Sequence, residues 1–224
     1  LEGGFTFDVV DGVSDFDNYA LLILPDVIAV DAALKAKIDT YVAQGGRVLL
    51  TGRSGVDREH GMVFDTGARW HGSSPFSGGD YLLPIEYLQA SFVADPLFMY
   101  RPSERITLTD GTGLGLIYEP YFDRAPNHFS GHMHTPSRPE PSAYVAGSQK
   151  GAFTYLAHPI FSAYFQAGAV AMLEIAEKAI LLALGQDRIL TTNLPRAGRA
   201  TLRAQPKHKR DVLHLLFANP AMRG

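Results

Sequence analysis

The sequence predicts an α/β fold with a mostly parallel sheet, and three observations carry that prediction. Residues 5–55 run strand, strand, helix, Gly-Gly, strand. Arg47–Thr51 (RVLLT) is apolar through its middle, as a strand covered on both faces must be. A second amphipathic helix is expected over about Ala169–Leu184. A strand–helix–strand unit of this length implies a right-handed parallel crossover.

In chain order, Phe5–Val10 (FTFDVV) and Ala20–Leu24 (ALLIL) are the first two predicted strands, the second closed by Pro25 and Asp26. Asp31 stands just before a helical pattern, where its carboxylate can accept from unpaired first-turn amides. Leu34, Ile38, Tyr41 and Val42 then form one apolar stripe. Gly45-Gly46 ends the helix, because glycine takes a left-handed cap without penalty.

Thr51-Gly52-Arg53-Ser54-Gly55 follows the third strand, at the end where open α/β sheets hold ligands. Its Gly-flanked Ser54 partly matches the nucleophile elbow G-x-S-x-G, but Val56 stands where the second Gly belongs. Ser54 therefore reads first as a turn residue. Residues 56–80 form a long Gly- and Ser-rich stretch holding Trp70 and His71, a length that points to function or an interface. Tyr81–Ile85 is a predicted strand. Phe92, Leu97, Phe98, Met99 and Tyr100 are read as core packing or a subunit contact.

Arg105–Thr109 and Leu114–Tyr118 are expected to form a hairpin turned at Asp110-Gly111. The segment after it mixes Glu119, Tyr121, Asp123, Arg124, Asn127, His128, Phe129, His132 and His134. His132 and His134 would share a face on a strand and could ligate a metal. With no carboxylate in an obvious partner position and Gly131, Pro136 and Pro139 nearby, they read as interface or pocket histidines, and no metal is expected. A hairpin ending at His158-Pro159 is expected over residues 143–157. The later helix is expected to bury Leu173, Ala176, Ile180 and Leu184 and to stop at Gly185. Ala200–Ala204 and Val212–Phe217 are expected to pair around Lys207–Arg210, too few strands to close a domain.

Composition narrows the function. The 224 residues suffice for one α/β domain and part of another. A chain of this length buries roughly 70% of its unfolded surface and needs no staple. The absence of cysteine excludes disulfides, thiolate metal sites and a cysteine nucleophile. A net charge of −3 and a pI of about 6.2 argue against nucleic acid as a partner. Glu174, Glu177 and Lys178 make the longest apolar helix too polar to span a bilayer. Leu1-Glu2-Gly3-Gly4 reads as the end of a helix, and the chain stops inside a β-region. A fragment of a longer, cytoplasmic polypeptide is expected.

The order YALLILPD (Tyr19–Asp26), a helix, YVAQGGRVLLTGRSG (Tyr41–Gly55) and FTYLAHPIF (Phe153–Phe161) resembles the trimerisation domain of family 42 beta-galactosidases and related glycoside hydrolases. That domain is similar in fold to class I glutamine amidotransferases, so the resemblance implies a flavodoxin-like three-layer sandwich. HLLFANPAMRG (His214–Gly224) resembles the start of the small β-sandwich that follows in those enzymes. The implied division is a trimerisation-type domain over residues 1–194 and the beginning of a C-terminal β domain over 195–224.

In amidotransferases a Cys occupies the elbow and an H-P-E block supplies His and Glu. Here the elbow position is similar to Ser54, and His158-Pro159 is followed by Ile160. A nucleophile needs a base, and the base needs an orienting partner. Glutaminase chemistry is therefore not expected.

The reading that results is a non-catalytic domain that joins subunits and completes a neighbour's active site, in a trimer or dimer. The resemblance implies a catalytic barrel in the same polypeptide and carbohydrate met only indirectly. Glu119, Tyr121, Arg124, His128, His132 and His134 form the expected substrate or interface loop, and no cofactor is expected. Two alternatives stay open: a free-standing hydrolase using Ser54 and His158, and a small-ligand sensor.

Overall fold

Asp31 caps the first helix as its sequence position predicts, accepting from the Leu34 amide at 2.8 Å. That helix, α1 (Ala32–Ala43), links β1 (Leu21–Leu24) to β2 (Arg47–Thr51), which pair in parallel with Leu21 opposite Arg47. Gly45 carries the chain out of the helix at φ 97°. Gly46 leaves room for the Tyr41 ring, whose hydroxyl ties back to the Tyr19 and Arg47 carbonyls. These details come from a computed structural model, which describes residues 3–186, 188–195 and 197–217. The chain divides into two units, Asp15–Gly185 and a second made of Leu1–Ser14 with Gln186–Gly224.

In the larger unit the chain continues through two short strands, β3 (Val56–Asp57) and β4 (Gly61–Met62), to β5 (Ala68–Ser73), β6 (Tyr81–Pro84), β7 (Leu97–Phe98) and β8 (Glu104–Leu108). It then forms β9 (Thr112–Gly113), β10 (Gly115–Tyr118), β11 (Gly147–Lys150) and β12 (Phe153–Leu156), and ends in helices α2 (Ile160–Ala167) and α3 (Val170–Leu184). The main sheet has the order β1-β2-β12-β11-β9. Val48–Leu50 of β2 and Tyr155 of β12 are wholly buried. Both α1 and α3 pack on β2.

This sheet is mixed where a mostly parallel one was expected. β1, β2 and β12 run parallel. β11 turns back on β12 through Gly151 at φ 56°, and a turn that short admits only antiparallel pairing.

The expected 105–118 hairpin does not form. β8 pairs with β5, β9 with β11 and β10 with β6. Gly115, at φ 141°, lets β10 run close against β6, where a Cβ would meet the Leu83 carbonyl oxygen at 2.5 Å. That pairing brings Ile117 against Leu82, both buried, which a local hairpin with the half-exposed β8 would not.

In the smaller unit the expected terminal hairpin is present, as β13 (Gly198–Gln205) and β14 (Arg210–Phe217) paired along eight residues. Phe5–Val10, in contrast, is not a strand. Phe5 lies under the Arg188 guanidinium, Asp8 pairs with Arg203 of β13 and Val9 is exposed, so the side chains of this segment do not follow the alternation of a strand. The helix-end reading of Leu1-Glu2 and the 218–224 part of HLLFANPAMRG fall outside the described residues.

Candidate functional site

The carboxyl ends of β1, β2 and β12 bring together the turn residues and His158. Ser54 is fully buried, and its hydroxyl accepts from the Ile28 amide at 3.0 Å. His158 is 1% exposed, and its Nε2 pairs with Asp80 Oδ1 at 2.5 Å. No hydrogen bond joins Ser54 to His158 among the described residues.

Around them the strand-end space is filled by protein. Asp26, buried and left-handed at φ 56°, accepts from the Thr51 hydroxyl at 2.6 Å. It also accepts from the Ser162 amide and hydroxyl in the first turn of α2, both at 2.5 Å. Such a carboxylate satisfies orphan amides at a helix start that Pro159 cannot cap. The Tyr155 hydroxyl donates to the Gly52 carbonyl at 2.7 Å. Burial, with the Glu104 carboxylate beside it, holds that phenol well above its usual range.

Asp80 is the orienting partner that sequence reasoning missed. Its Oδ2 accepts from the Ser103 hydroxyl at 2.7 Å. Burial alone would push its carboxyl up; attraction to the His158 ring and the hydrogen bonds from His158, Ser103 and Ser74 outweigh it and hold it below its usual value. The His158 Nδ1 is sealed without a partner. Nearby, buried Glu104 takes the Trp70 indole N–H at 2.7 Å and the Ser73 hydroxyl at 2.9 Å. The available signal was a carboxylate at the threshold of an apolar strand: Asp80 before β6 and Glu104 opening β8.

The second place is the arm after β10. Glu119 pairs with the Arg105 guanidinium, and its carbonyl accepts from the Arg138 amide. Tyr121 is exposed under the Arg138 guanidinium. His128 stacks on Phe122 with ring centroids 3.7 Å apart. Arg124 donates to the Met133 carbonyl at 2.7 Å. His132 is exposed, whereas His134 stacks on Phe98 at 4.5 Å and meets the Tyr81 and Tyr100 rings edge-on. The three histidines are therefore not gathered round one point, and no metal-holding group of three acids or histidines occurs among the described residues.

The arm roofs a cavity of about 680 Å³. Phe98, Tyr100, Phe122 and Phe129 give it aromatic walls, with Asp123, Arg124 and Gln166 as polar ones. Asp123 is fixed there by the Ser77 amide and hydroxyl, at 2.8 and 3.0 Å.

Residues 1–72 match the beta-galactosidase trimerisation domain family. No curated protein sequence matches the chain. Among solved structures, the chain is similar over its whole length to alpha-L-fucosidase isoenzyme 2 from Paenibacillus thiaminolyticus, at 35% identity and a TM-score of 0.92, covering 34% of that chain. It also resembles the cold-adapted beta-galactosidase from Rahnella sp. R3, at 17% identity and a TM-score of 0.57, over 90% of this chain and 28% of that one. The beta-galactosidase from Bacillus circulans sp. alkalophilus matches 91% of this chain and 28% of its own, at 12% identity and a TM-score of 0.58. These last two likenesses show the fold alone. The chain thus spans about a third of the length of the structures it matches, and the resemblance to the trimerisation domain read from the sequence is borne out.

Proposed function

We propose that this chain is the non-catalytic, subunit-joining domain of a glycoside hydrolase, and that its arm completes the active site of a neighbouring catalytic barrel. The observation that carries the non-catalytic half is the filled strand end. Ser54, His158 and Asp80 are each no more than 1% exposed, and a nucleophile that no substrate can reach forms no covalent intermediate. Ser54 spends its hydroxyl on the Ile28 amide and His158 on Asp80. The pair that orients a base in a hydrolase here bonds one core segment to another.

The joining half rests on the trimerisation-domain match over residues 1–72 and on the whole-length likeness to the fucosidase. Homo-oligomerisation as a trimer or dimer, a barrel in the same polypeptide and indirect contact with carbohydrate belong to this reading. So do a cytoplasmic setting, the division at residue 194, and a flavodoxin-like three-layer arrangement. The β1–α1–β2 unit and the two-faced burial of β2 support the last. Among the described residues no helix is long and apolar enough to cross a membrane.

Aryl esters, aryl glycosides and glutamine offered to this chain test the non-catalytic half. No turnover above buffer is expected. Aryl-ester hydrolysis that disappears in both Ser54→Ala and His158→Ala would replace this reading with the hydrolase.

A further inference from the structure

We propose that the cavity under the arm is a binding site for a single neutral pyranose ring, formed by this chain alone. It goes beyond the joining role and replaces the indirect contact with carbohydrate by a direct one, because every wall comes from residues 77–166 and no neighbour is required. Its volume of about 680 Å³ falls within the ~300–1,000 Å³ range of small-molecule sites.

The walls have the two parts that sugar recognition needs. A pyranose presents a C–H face that packs on an aromatic ring and a rim of hydroxyls that both donate and accept. Phe129, 68% exposed, offers an aromatic surface, and Tyr100, 39% exposed beside the Phe98 and His134 rings, adds part of a second. The rim partners are side chains with open hydrogen-bonding atoms. Asp123 uses Oδ2 for Ser77, and Oδ1 makes no hydrogen bond within the described residues. Arg124 uses one terminal nitrogen for the Met133 carbonyl, which leaves its other N–H groups as donors. Gln166 adds an amide from α2.

Opposite charges on Asp123 and Arg124, adjacent in the chain, select against a charged ligand. An anion would face the carboxylate and a cation the guanidinium, while neutral hydroxyls can pair with both.

Two further observations point to a built site. Tyr100 is held at φ 55°, a conformation that costs a non-glycine residue free energy and that clusters at ligand sites. Gly79 permits it, since a Cβ there would meet the Arg101 amide at 2.8 Å. His134 is clamped between rings, so the wall it forms is preorganised.

The test is titration of this chain with methyl β-galactopyranoside and with methyl α-fucopyranoside, followed by calorimetry and by amide NMR shifts. Inorganic phosphate and glucuronate serve as charged comparators. Saturable binding of at least one neutral pyranoside is expected, with a dissociation constant near ~1 mM, as a few hydroxyl contacts and one ring face support. Phe129→Ala and Arg124→Gln alter exposed side chains and should each weaken it at least tenfold while the melting temperature holds. No saturation by either pyranoside at roughly twentyfold that concentration, tighter binding of phosphate or glucuronate, or binding indifferent to both variants would overturn the proposal. None of these outcomes bears on subunit joining, which is read from oligomer mass.

Discussion

At the scale of single residues, the pairing of His158 with Asp80 is the most consequential contact in the larger unit. Each partner is about 1% exposed, so removing His158 leaves Asp80 buried with uncharged partners such as the Ser103 hydroxyl. His158→Ala should destabilise the domain by about 3–5 kcal/mol, read as a shift of the urea midpoint at unchanged slope. Asp80 also sets an acid limit. Its carboxyl is held below the usual value in the fold, so its contribution is complete above the unfolded value and is lost as pH falls through the folded one. Stability should therefore fall on acidification below about pH 4, and Asp80→Asn should flatten that limb; an unchanged acid limb would remove Asp80 as its source. The histidines of the arm make a second prediction. With His132 exposed and His134 fixed among rings, added zinc should leave the melting temperature unchanged. A bound metal at a hundred times its dissociation constant would instead add about 2.7 kcal/mol, and a rise of that size lost in the double variant His132→Ala with His134→Ala would make the arm a metal site. The histidines were visible in the sequence as polar groups, but the pairing of Asp80 with His158 was not, because 78 residues separate them.

At the scale of elements, what was legible was what the chain decides locally. Asp31 capped α1, Gly45 ended it, and Gly185 stopped α3 in the left-handed conformation at φ 66°. Of the face expected for α3, Leu173 and Ala176 are buried as read, but the core side extends to residues outside that face. Met172, Ile175, Ala179 and Ala183 face the core, while Ile180 and Leu184 are only half-buried. Small alanines bring this helix close to β2, a preference that a hydrophobicity pattern alone does not carry. The 105–118 hairpin failed for a related reason. Asp110-Gly111 is a good local turn signal, yet β10 found a more apolar partner far upstream in β6, with Ile117 opposite Leu82. Glycine substitutions separate the two cases. Gly151→Ala sits in open space and should cost only the ~1–2 kcal/mol of a left-handed non-glycine residue. Gly115→Ala carries a positive φ and a backbone clash with Leu83, so it should cost more and loosen β10 from β6. Hydrogen exchange at Leu82 and Ile117 would report that loosening. Equal costs for the two substitutions would mean that the β6–β10 approach is not tight.

At the scale of the whole molecule, the sequence resemblance reached further than periodicity could, because the proposed joining role concerns contacts with another chain, which the hydrophobic period of one chain does not describe. The arm from Glu119 to His134 is where the two readings meet. Glu119 is held by Arg105, so its loss should free the root of the arm, whereas His132 is exposed and its loss should remove only what it touches outside this chain. His134 lies between these cases, stacked on Phe98 beneath the arm. In the complete polypeptide, Glu119→Ala, His132→Ala and His134→Ala, made singly, should keep the oligomer mass measured by light scattering. Each should lower glycosidase activity per barrel by about tenfold or more, since a displaced positioning group far from the core can cost as much as ~100-fold. His132→Ala is the sharpest of the three, because it leaves every described contact of this domain intact. If it lowers activity with mass and melting temperature unchanged, its partner must be substrate or a neighbouring subunit. If all three variants retain both activity and assembly, the arm is ordinary surface, and the domain joins subunits without reaching an active site.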